Sequence, residues 1–485
     1  MAPDMQSKDT HSKIKSVIVV GGGVSGIAAA CALADAGVHV QLLERRPYLG
    51  GRASSYEHPG TGEIIDNCQH ILLGSCTNLI DLYHRLGVAQ SIAWYDSFVF
   101  IEPGGRRSVL QPSWLPAPFH TSLSFLGAHA FSFADKLALS RGLMAFLTAV
   151  PEDSDETFAQ WLDRHGQTCG AIERFWQPLL ASALNETPDR ISVHYAGEVV
   201  RKTFLGSPEG GRMGVPTIPL SDLYGRAAEY IEARGGSIHL RTAADNFEWQ
   251  PRRDDAPEDG STGQWLIRSA DADFAGDAVV IALSFEAMAA LMPRLPDNPA
   301  AGELAAQLSQ FEHSPITGIH LWFDREITDL PHAVLLDTTI QWIYNKSKLQ
   351  PDRHASPGAG SYLELVVSSS RSLVPMQRQE IIDLALRELA LFFPAVREAT
   401  LIKSTVVKEV RATYSIRPGL EQFRPGPISP WPAIYLAGDW TSTGWPATME
   451  GAVRSGYLAA EAILGTPDAI LKPDLAHTGL MRMLP

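Results

Sequence analysis

Gly21, Gly23 and Gly26 stand between the apolar run Val17 to Val20 and an alanine-rich stretch that ends near Gly37. A G-x-G-x-x-G at the end of a strand and the mouth of a helix has a mechanical meaning. The first glycine allows the turn, the second lets backbone approach a pyrophosphate, and the third permits close helix–strand packing. The helix start, with the amides of Val24, Ser25 and Gly26, offers unsatisfied N–H groups and partial positive charge, which suits an anionic dinucleotide. Glu44 ends the next strand, close to the roughly 20-residue spacing at which a carboxylate accepts hydrogen bonds from the adenosine ribose. Arg45, its neighbour, is grouped with it as a cofactor contact. A glycine turn that merely joins strand to helix is the alternative, and strand, turn, helix and acid together argue against it.

The first unit cannot choose between FAD and NAD, because both carry the same ADP half. Two further segments choose. In LGGRASS, residues 49 to 55, Gly50 and Gly51 let the chain pass close to a cofactor and Arg52 can place a fixed charge near a pyrophosphate or flavin. In YLAGDWTSTGWPATMEGAVRSGYLAAEAIL, residues 435 to 464, a strand ends at Ala437 and Gly438 and Asp439 follow, with a helix starting near Thr448. A carboxylate at that strand end can bind ribityl hydroxyls, and the helix can aim N–H groups at negative charge on a reduced flavin ring. Together these segments resemble the flavin-containing amine oxidase and phytoene desaturase superfamily. The resemblance implies FAD as cofactor, with Arg52, Asp439 and the backbone around Met449 and Glu450 as contacts, and with Ala244, shortly after GGSIHL, where the backbone meets the adenine. The bland alternatives are a surface ion pair for the Arg and a turn cap for the Asp.

Within that superfamily, GEIIDNCQHILLGSCTNLIDLYHRLGV, residues 62 to 88, and RFWQPLLASALNETPDRIS, residues 174 to 192, resemble the hydroxysqualene dehydroxylases. What this implies is loss of the hydroxyl from hydroxysqualene and delivery of hydride from reduced FAD, in squalene and hence hopanoid or sterol biosynthesis. An allylic alcohol can lose water if its oxygen is protonated, and the delocalised cation can accept a hydride. Such a site needs a dry apolar tunnel for the isoprenoid and a proton donor. His70, in DNCQH, is the first candidate donor, since imidazole is protonated near neutral pH; the alternative is a histidine that only hydrogen-bonds cofactor or backbone. Asp66 could orient His70 or hold the loop. Cys68 has no paired cysteine and reads as a small packed side chain.

Three rivals stay open. An isoprenoid or carotenoid desaturase would remove hydride from a lipid, an amine oxidase would act on an amine, and a prenyl-lipid carrier on the same scaffold could dispense with the flavin. PGAG, residues 357 to 360, neither follows a clear strand nor opens a helix, so a dedicated NAD(P)H site is doubtful and an external flavin reductant is open.

These residues must be positioned by a large α/β frame. At 485 residues the chain suits two or three compact units. The expected fold is a Rossmann-like FAD-binding domain of glutathione-reductase type with an inserted mixed α+β substrate domain. Its boundaries are expected at 1–75, 210–284 and 412–485 for the discontinuous FAD domain, 76–209 for a mainly helical region, and 285–411 for an antiparallel-sheet substrate domain. The acidic PRRDDAPEDGSTG reads as a solvated hairpin tip.

Composition bounds the partners. Apolar residues form 45% and charged residues 19% of the chain, which suits a globular protein, and a formal charge of −14 argues against nucleic acid. Four cysteines without C-x-x-C spacing indicate neither a disulfide framework nor a zinc site and fit a reducing cytoplasm. The first residues do not resemble a signal peptide. Ser108 to Ala134 contains no Asp, Glu, Lys or Arg, but Pro112, Pro116 and Pro118 break it, so it is expected to dock peripherally on the inner face of a membrane or to form a tunnel mouth. A buried lid is the other reading.

Overall fold

The computed structural model describes residues 14–251, 263–351 and 360–483. The proposed hairpin tip lies almost wholly outside them, as does most of PGAG. The fold is mixed α/β, as the sequence pattern predicts. Five parallel strands in the order Ser237–Leu240, His39–Glu44, Ser16–Val20, Ala278–Ile281 and Ile434–Leu436 form the nucleotide sheet. Ser16–Val20 is central, with Val17 opposite Val40 on one side and Ala278 on the other. Such a strand is covered on both faces, which is why it reads as a continuous apolar run rather than an alternation.

The first helix, Val24–Asp35, has all residues from Val24 to Ala34 buried. Its small side chains let the Met449–Leu464 helix come very close: a Cβ on Gly456 would lie 2.3 Å from the Ser25 carbonyl oxygen. The helix is therefore clamped between the sheet and a second helix, and its amino end is held at the sheet's carboxyl edge, where ligands of open α/β sheets bind.

A second sheet of seven strands runs in the order Leu401–Tyr414, His313–Phe323, Tyr362–Ser368, Trp342–Asn345, His332–Leu335, Phe98–Ile101 and Arg107–Leu110. Two features differ from expectation. The last two strands come from the 76–209 region expected to be mainly helical, and Phe98–Ile101 pairs in parallel with His332–Leu335, so the sheet is mixed rather than purely antiparallel. The FVFIEPGGRRSVL hairpin carries a proline and two glycines at its turn, and its short apolar runs lack enough length to separate strand from helix by periodicity alone.

The seven-stranded sheet is two-faced. Ile319, Leu321, Leu363, Leu365 and Ile343 pack in one core with Ile381, Ile382, Ala385 and Leu389 of the Arg378–Phe392 helix. The helices of 122–205 pack largely against one another and include two π-helical turns, Ile172–Trp176 and Val200–Leu205. Among the described residues no helix is long and apolar enough to cross a membrane.

Candidate active site

The nucleotide end is a cradle of missing side chains. A Cβ on Gly26 would lie 1.9 Å from the Gly21 carbonyl oxygen, and Gly21 itself has φ 109°, a left-handed conformation that side chains resist. Gly23 differs: within 4 Å its Cβ would meet only the Gly51 Cα, at 3.9 Å. Open space thus lies over the start of the first helix, and Gly23, its N-cap, supplies no side-chain acceptor for the first-turn amides. Those amides, including Val24 and Ser25, are left for an anion.

Glu44 accepts from the Gly22 amide at 2.7 Å on one oxygen and from the Arg46 amide at 2.7 Å on the other. A carboxylate has about four acceptor positions, so capacity for ribose hydroxyls remains. Arg45 is exposed, whereas Arg46 Nη1 donates to the Gly51 carbonyl at 2.8 Å and ties the two glycine loops together. The cation that shapes this site is therefore Arg46, which an adjacent pair of arginines conceals in the sequence. The Thr242 amide donates to the Glu44 carbonyl and the Arg241 amide to the Arg46 carbonyl, which brings the segment leading to Ala244 alongside the acid.

At the other end Arg52 Nη2 donates to Asp439 Oδ1 at 2.6 Å, and Nη1 to the Ala412 carbonyl at 3.0 Å. Two residues nearly 400 positions apart in sequence thus meet. Gly438 has φ 153° and a Cβ there would strike the Trp440 indole nitrogen at 2.4 Å. The loop after Asp439 is held by a residue the motifs do not contain. Arg424, fully buried in its side chain, donates from Nη2 to the carbonyls of Asp439, Thr441 and Trp445 and from Nη1 to Glu421. Thr448 caps the following helix by accepting from the Gly451 amide, and the Glu450 side chain accepts from the amides of Asn78 and Leu79 at the start of another helix. The Met449 sulfur in turn accepts from the Tyr224 hydroxyl at 3.3 Å, so both side chains expected beside the cofactor are engaged within the protein.

The DNCQH segment lies between these loops and the seven-stranded sheet. Asp66 accepts from Ser55 Oγ at 2.5 Å and from Lys346 Nζ at 2.6 Å, and the Asn67 amide side chain donates to the Arg52 carbonyl. Burial alone would raise the Asp66 carboxyl, but the Lys346 ammonium, with the Ser55 and Leu220 hydrogen bonds, brings it below the usual range. Asp66 makes no hydrogen bond to His70; it holds the loop. His70 Nδ1 lies 2.8 Å from the Cys68 carbonyl, which as an acceptor places the ring proton on Nδ1 and leaves a lone pair on Nε2. Burial lowers the His70 pKa, partly offset by that carbonyl and by Asp66. Burial also pushes the Cys68 thiol well up, consistent with a packed rather than reactive cysteine.

Lys346 and Glu364 were not visible as site residues in the sequence. Lys346 is 1% exposed and also donates to Gln69 Oε1 at 2.9 Å, with Glu364 Oε2 at a looser 3.5 Å. Glu364 belongs to a buried cross-strand row in which His320, Glu364, Tyr344 and His332 are successive register partners. Burial raises the Glu364 carboxyl to about 7 against the pull of Lys346, and lowers His320 to about 3. The available signal is YLELVV, which places one carboxylate in an otherwise apolar strand.

Beyond the row lies an apolar cavity of about 190 Å³ whose walls include Phe98, Phe119, Phe125, Phe175, Phe204 and Met144. Both π-helical turns contribute to it, through Phe175 and through Phe204 with Leu205, a placement such turns often have at functional sites. Phe98 meets the Trp342 ring edge-on, Trp342 stacks on Tyr344 at 5.6 Å, and Tyr344 pairs with Glu364. Touching aromatic rings thus link the cavity lining at Phe98 to the polar row at Tyr344.

The flavin containing amine oxidoreductase family matches residues 24–464. The chain belongs to this family. As a member it is an FAD-dependent oxidoreductase, and the glycine cradle, the free helix start and Glu44 fit that cofactor. Among curated relatives of this chain, the 15-cis-phytoene desaturase of Synechococcus elongatus is 27% identical over 94% of this chain and 97% of its own length. That of Solanum lycopersicum is 28% identical over 93% and 78%, and a probable zeta-carotene desaturase of Synechococcus elongatus 25% over 92% and 98%. Solved structures with the same fold include an oxidoreductase from Methanosarcina mazei, with TM-score 0.69 and 17% identity over 93% of this chain and 100% of the other. Putrescine oxidase bound to putrescine follows at TM-score 0.66 and 17% identity over 93% and 99%. At such identities the structures share fold alone.

Proposed function

We propose that this flavoenzyme exchanges hydride with a long isoprenoid hydrocarbon, in the desaturating direction. The observation that carries the substrate class is the ring-lined cavity, with the chain of touching rings from Phe98 through Trp342 to Tyr344 behind it. Its one acidic lining residue, Asp96, is bound by Arg212 at 2.6 Å, so a cationic amine finds no free carboxylate there. The direction is supported by full-length likeness to relatives named as carotenoid desaturases and by His70, whose neutral ring keeps a lone pair on Nε2.

FAD held in this cradle supplies a hydride acceptor when oxidised and a hydride donor when reduced. The protein's part in desaturation is to hold the chain in a dry channel and, at His70 Nε2, to accept the proton lost from the carbon beside the oxidised one. The Arg52–Asp439 pair and the loop held by Arg424 fix the cofactor end.

A second reading is reductive dehydroxylation of hydroxysqualene to squalene. It draws on the likeness of residues 62–88 and 174–192 to hydroxysqualene dehydroxylases, and on Glu364, a buried carboxyl raised to about 7 that could carry the proton a leaving hydroxyl needs. Paired anaerobic incubations separate the two, with products identified by mass spectrometry. Phytoene with the oxidised holoenzyme and an electron acceptor yields a more conjugated polyene if desaturation is right. Squalene formed from hydroxysqualene with reduced holoenzyme, and no polyene, replaces it with the second reading. No product from either overturns the isoprenoid class.

The cavity mouth is also the proposed membrane contact. Trp114 and Phe133 are 85% and 84% exposed, and Leu123, Leu126, Leu137 and Met144 are exposed near them. Phe119 and Met144 belong to both the exposed set and the cavity wall. An apolar surface continuous with an apolar channel suits a bilayer from which the substrate enters.

A further inference from the structure

Lys346 presents a puzzle of cost. An ammonium buried beside two carboxylates loses several kcal/mol of hydration per ion, and well-packed apolar residues would often be at least as stable. Buried ionic groups are better explained by what they specify. Here the three partners lie on two separate elements: Asp66 and Gln69 in the flavin-side loop around Cys68, and Glu364 in the middle of the substrate sheet. The loop is tied in turn to the cofactor segment, because Asn67 donates to the Arg52 carbonyl while Arg52 pairs with Asp439. His70 is anchored to the same loop through Cys68. The sheet approaches so closely that a Cβ on Gly318 would lie 3.3 Å from Cys68 Sγ and 3.4 Å from the Asn67 carbonyl.

We propose that Lys346 is a positioning residue which fixes His70 and the Arg52 loop relative to the substrate sheet, and that Glu364, sharing the same ammonium, is the proton store of this clamp. With Glu364 ionised, two carboxylates and one ammonium leave a net negative charge behind the flavin-side loop. Uptake of one solvent proton forms the Glu364 carboxylic acid and leaves a neutral Asp66–Lys346 pair. The groups facing Glu364 are Lys346, Asp66 and Cys68 from outside the sheet, and His320, Tyr344 and Tyr362 within it. His320 stays neutral near pH 7 and the Tyr and Cys groups are raised, so Glu364 is the member that changes charge there. The inference rests on the flavin lying over the Arg52 loop, as the proposed function requires.

The test uses FAD-loaded protein without any lipid. The visible absorbance of the bound flavin is titrated between about pH 5.5 and 8.5, and FAD affinity is measured by fluorescence quenching. The wild type should display a one-proton spectral step near neutrality that Glu364→Gln abolishes. Lys346→Met should lose the step and bind FAD at least tenfold more weakly, and hydrogen exchange of the 66–70 amides should rise at least tenfold. If Lys346→Met does not fold or load, the isosteric Glu364→Gln carries the test. Persistence of the wild-type step in Glu364→Gln overturns the proton store, and unchanged affinity and exchange in Lys346→Met overturn the clamp. Because no lipid is present, a wrong substrate assignment leaves these outcomes intact.

Discussion

Replacing Glu364 by Gln should make the protein more stable than the wild type at pH 8, and the gain should vanish in acid. Glu364 is fully buried and its carboxyl is raised from 4.5 to about 7. A raised carboxyl contributes stability that is complete below the unfolded value and is lost as pH rises through the folded one. The window is therefore pH 4.5 to 7, and a shift of about 2.5 units corresponds to about 3 kcal/mol. His320 titrates in the opposite sense over an overlapping range: its folded value near 3 gives stability present above the ordinary imidazole value of 6.5 and lost in acid. The absolute curve of either protein mixes these contributions, so the quantity to follow is the difference between them. Urea unfolding at half-unit steps from pH 5 to 8 should find the Gln variant's relative stability rising by about 2.5 kcal/mol, nearly all of it below pH 7.5. A difference that stays flat across that range refutes the electrostatic picture of the cluster.

Gly23→Ala should fold as the wild type does, because its Cβ meets nothing closer than 3.9 Å, yet it should bind FAD at least tenfold more weakly, a loss of about 1.4 kcal/mol readable by fluorescence titration. Arg424→Met should leave carbonyls of the 439–445 loop unpaired and strand Glu421; an unfolding free energy lower by about 3 kcal/mol and reduced flavin content per chain are expected. Joint replacement of Trp114 and Phe133 by Ala should cut partition onto anionic vesicles by at least tenfold while leaving the melting curve unchanged, since both side chains are largely exposed.

The cofactor end was legible because its constraints are local. Gly26 is dictated by the Gly21 carbonyl a few residues before it and Gly21 by its own left-handed φ, Gly23 opens the helix start without crowding, and the parallel strand beside them follows from its continuous apolar run. Arg52 and Asp439 were each legible as motif members, but their ion pair depends on folding two distant segments together. Arg46 was hidden by Arg45, since neighbouring side chains on an extended segment point to opposite sides and composition does not say which faces inward. Lys346, Glu364 and Arg424 escaped because nothing local distinguishes a lysine near a strand end or an arginine in a proline-rich loop from a solvated surface residue. Their burial is a property of the assembled sheet and loops. The Phe98–Leu110 hairpin was missed where short apolar runs fit strand and helix equally.

The two-faced sheet has a consequence for genetic variation. Along Gly318 to Phe323 and Tyr362 to Ser368, neighbouring residues answer to different demands: Ile319, Leu321, Leu363 and Leu365 belong to the core under the Arg378–Phe392 helix, whereas His320 and Glu364 lie on the face toward Lys346 and the 66–70 loop. Polar replacements at the former should deplete the protein from cells, and replacements at the latter should leave abundant protein with altered redox behaviour. A saturation scan that reads abundance and turnover separately should therefore alternate with a period of two along these strands, dividing the inheritance of shape from the inheritance of chemistry one residue at a time.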